Sequence, residues 1–171
     1  MGLLRDRRGP AGSRFRMREK LFAIGDDFWI ENEEGERAFK VDGKALRVRD
    51  TFVLEDPSGE EVAKIQERKL SVRDTMKVER DGRTVATVKK AIISPLRDRF
   101  SIEVDDGDDL HAKGNVVDHE FKIERGGDEI AEVSKRWFRV RDTYGIEIAP
   151  GEDEALILAI TVCIDQMGRG E

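Results

Sequence analysis

Hydrophobic and polar positions alternate along most of this chain, in blocks that resemble one another. Side chains alternate between the two faces of a strand, so two apolar residues one position apart share a face, and the Glu that follows them falls on the opposite face. This pattern predicts short strands with one buried and one wet face. The apolar pairs are Phe52 with Leu54, Met76 with Val78, Phe100 with Ile102, Phe121 with Ile123, and Tyr144 with Ile146, each followed directly by Glu.

A second alternating segment follows most of these blocks after a glycine-containing turn. Clear examples are VAKI at 62–65, VATV at 85–88 and IAEV at 130–133. The segments 27–31 and 38–41 form a looser copy of the whole unit. Glycine supplies the positive φ that tight or bulged hairpin loops need. The unit recurs about every 20 to 24 residues, a period typical of repeated supersecondary structure. The repeat predicts a series of β-hairpins.

The motif Val-Arg-Asp-Thr stands at the joint between hairpins. It occurs in RVRDTF at 47–52, SVRDTM at 71–76 and RVRDTY at 139–144. Asp and Thr favour such corners, because their side chains bond to nearby backbone groups. We therefore interpret the motif as structural, with its arginines at outward-facing strand ends.

The hairpins predict a mainly β fold that closes on itself. Six first strands, five second strands and an opening strand at 21–24 give twelve. A meander of that length must curl, and closure removes the exposed edges that invite aggregation. A barrel this wide is not filled by its own strand side chains. The sequence therefore predicts a closed twelve-stranded antiparallel barrel around a further buried element.

The predicted filling is a hydrophobic helix near the carboxyl end, over about 152–166. Three acidic residues at 152–154 suit the positive end of a helix dipole, and apolar residues on every side follow them at 155–164. A helix of this kind is buried or transmembrane, and the apolar run is about half of what a bilayer requires. A buried strand is the other interpretation, because the run contains Ile, Thr and Val.

Composition and charge narrow the functional classes. With 171 residues, a net charge of -6 and a pI near 5.2, the chain is expected to be one soluble domain and not a nucleic-acid binder. The only cysteine, Cys163, excludes an intramolecular disulfide and a cysteine zinc cluster. No secretion signal is recognised, so a cytoplasmic location is expected.

Residues 1–16 are predicted to be a basic, disordered arm, and residues 17–171 are predicted to form the barrel domain. The alternative role of the arm is a weak tether to anionic lipid or RNA.

Five segments together resemble the LURP-one-related family. They are KLFAIGDDF at 20–28, GNVVDHEF at 114–121, SKRWF at 134–138, DTYGI at 142–146 and EDEALILA at 152–159. The resemblance covers about 17–167. It implies a tubby-like fold, a twelve-stranded barrel around a C-terminal hydrophobic helix. That fold is shared with phosphoinositide-binding tubby proteins and with phospholipid scramblases. The family carries no established catalytic residues, and the phosphoinositide motif of tubby proteins is not matched here, so lipid binding follows from shared fold alone.

Sites for catalysis or metals find little support in the sequence. None of the motifs G-x-S-x-G, P-loop or H-E-x-x-H occurs. His119 stands at the corner position that Asp fills in other units, which predicts a turn role rather than a ligand role. The acidic run at 105–109 lacks the EF-hand spacing and is interpreted as a hairpin loop. We therefore expect no catalytic residues, no metal and no cofactor.

Cations at equivalent hairpin ends are the best candidates for a binding site. If the corners share one rim, these side chains form a cationic crown able to hold phosphate groups; the alternative is that they pair with the repeated glutamates as exposed ion pairs. The predicted anion-site residues are Arg47, Arg49, Arg73, Lys89, Lys90, Arg136, Arg139 and Arg141, with Lys135 beside them.

The expected function is therefore a non-enzymatic binding or scaffold module for anionic ligands such as phospholipid head groups. Its partner is then an anionic lipid surface or an unidentified protein, with the chain cytoplasmic or peripheral at the membrane. Two alternatives remain. A protein-interaction scaffold predicts an exposed apolar patch. An enzyme with an unrecognised groove site predicts a concave pocket holding a carboxylate or histidine of shifted pKa.

Overall fold

The computed structural model describes residues 12–18, 27–42, 51–68, 75–91, 98–137 and 143–169. Within these residues the chain forms strands, a short 3-10 helix at Lys135–Trp137 and a helix, α1, at Glu154–Arg169. The strands are β1 (Ser13–Arg18), β2 (Phe28–Asn32), β3 (Arg37–Asp42), β4 (Thr51–Glu55), β5 (Glu61–Arg68), β6 (Thr75–Arg80), β7 (Arg83–Lys90), β8 (Asp98–Val104), β9 (Leu110–Asn115), β10 (Glu120–Arg125), β11 (Asp128–Ser134) and β12 (Thr143–Ile148).

The twelve strands of the described residues close into one barrel. Every neighbouring pair is antiparallel and follows chain order, and β1 completes the circle between β2 and β12. The alternating apolar positions face inward, since both members of pairs such as Phe52 with Leu54 are buried. The predicted fold class, a closed twelve-stranded barrel around a helix, is confirmed.

The helix fills the lumen of the barrel. Residues 157–165 are buried, and α1 packs against β5, β6 and β7. Thr161 Oγ1 donates to the carbonyl of Ile157 at 2.8 Å, so this polar side chain is satisfied within its own helix. Burial raises the pKa of the Cys163 thiol, which keeps it in its neutral, apolar form. The helical interpretation of the apolar run is therefore the right one, and the strand alternative is wrong.

The first strand begins earlier than the sequence predicted. The predicted disordered arm covers 1–16, but β1 starts at Ser13 and pairs with β12 along its six residues. Phe15 and Met17 are buried, whereas Arg14 and Arg16 face outward and form ion pairs with Glu147 and Glu31 of the flanking strands. These carboxylates neutralise an otherwise strongly basic strand. The domain boundary is therefore corrected to Ser13; residues 1–11 and the predicted opening strand at 21–24 lie outside the described residues.

The two ends of the barrel differ. The turn end carries the tight loops of the five hairpins from β2–β3 to β10–β11, together with the start of α1. The corner end carries the turn at 116–119 between β9 and β10, the 3-10 helix after β11, and the last residues of α1. Among the described residues, no helix has the length and apolar character needed to cross a bilayer.

Candidate functional site

The structure places three of the eight predicted anion-site residues. Lys89 and Lys90 end β7, and Arg136 lies in the 3-10 helix, so all three stand at the corner end. The remaining five, all of them arginines, lie outside the described residues: Arg47, Arg49, Arg73, Arg139 and Arg141.

Lys89, one of the predicted site cations, pairs with a repeated glutamate, as the alternative interpretation expected of the whole set. The other repeated glutamates that form ion pairs do so with cations outside that set. Lys89 Nζ lies 2.7 Å from Glu103 Oε1, which commits this predicted site residue to a neighbouring strand. The Lys89–Glu103 pair is half-exposed, and such pairs contribute little to stability. The other repeated glutamates with a cation at hand are Glu31 with Arg16, Glu55 with Lys40, Glu124 with Lys113, and Glu147 with Arg14.

A groove of about 290 Å³ crosses the outer wall of the barrel over β8 to β11. Four of its lining side chains are cationic and two are carboxylates. We call it the cationic groove, and Arg136 is the predicted site residue that it contains. Its lining residues are Arg99, Lys113, Gly114, Glu120, Phe121, Lys122, Glu132, Val133 and Arg136.

Three of the cations form a row across the sheet. Arg99 of β8 is directly opposite Lys113 of β9, and Lys113 is directly opposite Lys122 of β10. Neighbouring strands lie about 4.8 Å apart, so the row spans roughly 10 Å. Like charges directly opposite one another destabilise a sheet. The row therefore costs stability wherever neither a carboxylate of the protein nor a bound anion neutralises it.

Carboxylates of the protein pair with two of the three cations in the row, Lys113 and Lys122. Lys113 Nζ lies 3.2 Å from Glu124 Oε2, and Lys122 Nζ lies 3.0 Å from Glu129 Oε2. The pKa of Lys122 is raised, chiefly by its hydrogen bond to Glu129. Arg99 is exposed, and among the described residues no carboxylate lies within ion-pair distance of its guanidinium. Arg99 is thus the cation of the row that is available to a ligand.

Glu120 fixes the end of the groove where Arg136 lies. Its Oε1 accepts hydrogen bonds from Ser134 Oγ at 3.0 Å and from the backbone N–H of Lys135 at 3.1 Å. Ser134 Oγ in turn accepts from the backbone N–H of Arg136 at 3.2 Å. These bonds hold the start of the 3-10 helix against β10, while the Arg136 side chain itself remains exposed.

Gly114 forms part of the floor of the groove. Its φ is +143°, and a Cβ at this position would lie 2.5 Å from the carbonyl oxygen of Glu120 and 2.7 Å from Cα of Phe121. Both atoms belong to the backbone and cannot move aside. Only glycine fits here, so the close approach of β9 and β10 under the groove depends on it.

Sequence reasoning missed a buried polar cluster at the corner end. His119 lies in the β9–β10 turn as predicted, with φ at +51°, and its backbone N–H donates to the carbonyl of Val116 at 3.1 Å. Its ring also stacks on Tyr144, with centroids 4.1 Å apart, and its Nδ1 lies 3.3 Å from Asp165 Oδ1 of α1. All three side chains are buried. The one signal in the sequence was Asp165, an acidic residue at the end of the apolar run.

The described residues contain no group of three or more His, Cys, Asp or Glu side chains arranged to hold a metal ion. The acidic run at 105–109 forms the exposed β8–β9 turn, where Asp109 Oδ1 accepts from the backbone N–H of Val104 at 3.4 Å. The run at 105–109 therefore forms a hairpin loop.

Comparisons with known proteins agree with the fold. The sequence model of the LURP-one-related family matches residues 13–165, which confirms the resemblance and the corrected start of the domain. The uncharacterized protein YxjI of Bacillus subtilis is 27% identical over 151 residues, covering 88% of this chain and 91% of that protein. An X-ray structure of a protein from Arabidopsis thaliana superposes with a TM-score of 0.70 at 20% identity, covering 96% of each chain. The latter likeness concerns the fold alone.

Proposed function

Because the chain belongs to the LURP-one-related family and carries a cationic groove on its barrel wall, we propose that it is a non-enzymatic binding module for anionic ligands. The ligand carries a phosphate or similar group, such as a phospholipid head group. The observation that carries this proposal is the row of Arg99, Lys113 and Lys122 on three adjacent strands.

The row supports binding because it places three cations directly opposite one another on adjacent strands. Some cross-strand pairs elsewhere on this wall combine opposite charges, as Arg14 does with Glu147. Directly opposed cations repel one another, and a bound anion removes that repulsion while gaining charge-assisted hydrogen bonds. Binding of an anion that bridges Arg99 and Lys113 is therefore favoured, because it removes the repulsion between these two side chains.

The position of the groove also suits an extended anionic surface. Arg136 lies at its edge on the corner end, where Lys89 and Lys90 also stand. A partner that approaches this end meets several cations at once, and electrostatic attraction adds about 1 kcal/mol per cation near an anionic membrane. A lipid surface and a soluble phosphate therefore share the same chemistry but differ in how many cations they engage.

The exposed surface of the described residues suits a charged ligand better than a partner that docks through apolar area. Among the described residues, Val117 is the large hydrophobic side chain that is exposed. A single exposed apolar residue is ordinary on a soluble domain and does not form a docking patch. A protein partner that binds through apolar area therefore fits this surface less well than an anion does.

Vesicle co-sedimentation tests the proposal. The protein is mixed with neutral phosphatidylcholine vesicles, with vesicles that also contain phosphatidylserine, and separately with inorganic phosphate as a competitor, each at low and high salt. We expect salt-dependent binding to the anionic vesicles, and competition by phosphate if the groove recognises the phosphate itself. The double variant R99Q/K113Q is expected to bind about tenfold more weakly.

The matched control is K77Q/R83Q, which removes two cations from β6 and β7 outside the groove. It keeps the net charge of the test variant, so equal loss in both variants assigns binding to total charge rather than to the groove. Absence of binding to anionic vesicles and to phosphate at low salt rejects the proposed function.

A further inference from the structure

Glu132 is the carboxylate of the cationic groove that lies beside the row of cations. It is directly opposite Lys122 of β10 on one side and Glu147 of β12 on the other. Across the wall, three directly opposed cations are therefore followed by two directly opposed carboxylates. They are Arg99, Lys113, Lys122, Glu132 and Glu147. Of the two carboxylates that line the groove, Glu120 is held by Ser134 and the 3-10 helix. Glu132 is thus the acidic side chain closest in register to an anion bound on the row.

The surroundings of Glu132 favour its neutral form. Partial burial raises its pKa most, and the neighbouring Glu129 raises it further by charge repulsion and by a hydrogen bond. Lys122 and Arg136 oppose the rise. Glu147 faces Glu132 from β12, but its own charge is engaged by Arg14. Burial and Glu129 on one side, and Lys122 and Arg136 on the other, therefore decide its protonation.

We propose that Glu132 takes up a proton when an anion enters the cationic groove, so that anion and proton bind together. This inference rests on the proposed function and adds its regulation. An anion on the row of cations adds a further negative charge to the groove that Glu132 lines, offsets the attraction of Lys122 for the Glu132 carboxylate, and excludes water from the groove. Each of these effects disfavours the charged carboxylate.

The sign of the pH dependence follows from linkage. If the bound anion raises the pKa of Glu132, protonation of Glu132 must strengthen anion binding by the same factor. Affinity then rises as the pH falls from neutrality toward the pKa of Glu132, which lies above its ordinary value of 4.5. The groove would hold its ligand more tightly in an acidified compartment or close to an anionic surface, where protons accumulate.

Calorimetry with sulfate measures this coupling directly, because sulfate keeps the same charge over the range from about pH 5 to about pH 8. Titrations in buffers of different ionisation heat give the number of protons taken up per anion. The wild-type protein is expected to take up a fraction of a proton, and the fraction is expected to increase as the pH falls. Glu132→Gln is expected to take up none from this group and to bind sulfate about three- to tenfold more tightly at neutral pH.

Two further variants control the experiment. Glu132→Asp keeps a titrating carboxylate and is expected to retain proton uptake, which separates protonation from packing. Glu103→Gln removes an exposed carboxylate of β8 that pairs with Lys89 outside the groove, and it is expected to leave the uptake unchanged.

The two proposals fail in different ways. Sulfate binding with the same proton uptake in the wild type and in Glu132→Gln overturns the coupling and leaves the binding module standing. Absence of binding by sulfate, phosphate and anionic vesicles at every pH overturns both. Weaker sulfate binding in Glu132→Gln than in the wild type also contradicts the coupling, since it makes Glu132 a supporting residue of the site.

Discussion

Arg80 of β6 and Asp153, at the start of α1, form a two-bond ion pair that ties the barrel wall to its central helix. The guanidinium donates to the two carboxylate oxygens at 2.5 and 2.9 Å, and Arg80 Nε also donates to the carbonyl of Val62 at 3.1 Å. Arg125 holds Glu152 in the same two-bond manner at 2.7 and 2.9 Å. The acidic residues that begin the helix therefore fasten it to separate strands as it enters the barrel.

Removing either side of the Arg80–Asp153 pair is expected to destabilise the fold to different extents. Arg80→Ala loses a half-exposed ion pair, a loss of about 1 kcal/mol. Asp153→Ala is expected to cost about 2 kcal/mol, because Asp153 Oδ1 also accepts the backbone N–H of Leu156 at 3.1 Å and so caps the helix. Urea unfolding of both single variants and the double variant measures the coupling. Additive losses would show that the two side chains do not stabilise each other.

Asp153 also predicts part of the acid sensitivity of the protein. The hydrogen bond from Arg80 lowers the pKa of Asp153 below its usual value. A carboxyl whose pKa is lower in the folded state binds fewer protons there than in the unfolded chain. Its stabilising contribution is therefore complete above the unfolded value of about 3.9 and is lost as the pH falls through the lowered folded value.

The measurement for this prediction is the free energy of unfolding against pH for the wild type and Asp153→Asn. The variant is expected to lose less stability than the wild type between about pH 5 and about pH 2. Glu33→Gln, which changes an exposed carboxylate at the turn end, serves as the matched control. Parallel curves for the wild type and Asp153→Asn would contradict the assigned role of the Arg80 contact.

The repeated hairpins and the helix could be predicted because their signals are local. A period of two along a strand and an apolar run on every side of a helix follow from backbone geometry and burial alone. The strand β1 was missed for the opposite reason. Arg14 and Arg16 dominate its composition, and the carboxylates that neutralise them belong to β12 and β2, far away in the sequence.

The cationic groove was not predicted from the sequence, because its cations lie opposite one another on adjacent strands but occupy different positions in the repeated unit. Cations were grouped at equivalent strand ends, whereas Arg99, Lys113 and Lys122 occupy different positions in their own strands. Counting outward from the β8–β9 turn would have placed Arg99 opposite Lys113, since turns fix the register of a hairpin. The burial of His119 required knowing which turn the C-terminal part of α1 meets, and no local pattern contains that.

The contact between His119 and Asp165 is expected to be needed for the helix to sit at the corner end. Asp165→Ala leaves the buried His119 ring without its carboxylate and is expected to cost about 3 kcal/mol. His119→Asn should lose less than His119→Ala, because Asn tolerates the positive φ of this turn better. Thermal unfolding measures both. The control is His111→Ala, an exposed histidine of β9 whose loss is expected to stay within about 0.5 kcal/mol; an equal effect of the two histidine-to-alanine changes would contradict the prediction.

Gly114→Ala is expected to damage both the barrel and its groove. The added Cβ would meet the backbone of Glu120 and Phe121 at less than contact distance, in a conformation that side chains rarely adopt, so we expect a loss of about 3 kcal/mol or more. Gly35→Ala is the matched control, because Gly35 also has a positive φ but its Cβ would meet open space. We expect it to cost about 1 kcal/mol. Denaturant unfolding gives both values, and sulfate calorimetry on the folded fraction tests the groove. Equal losses at the two glycines would mean that backbone conformation alone, and not the close approach of β10, determines the need for glycine at 114.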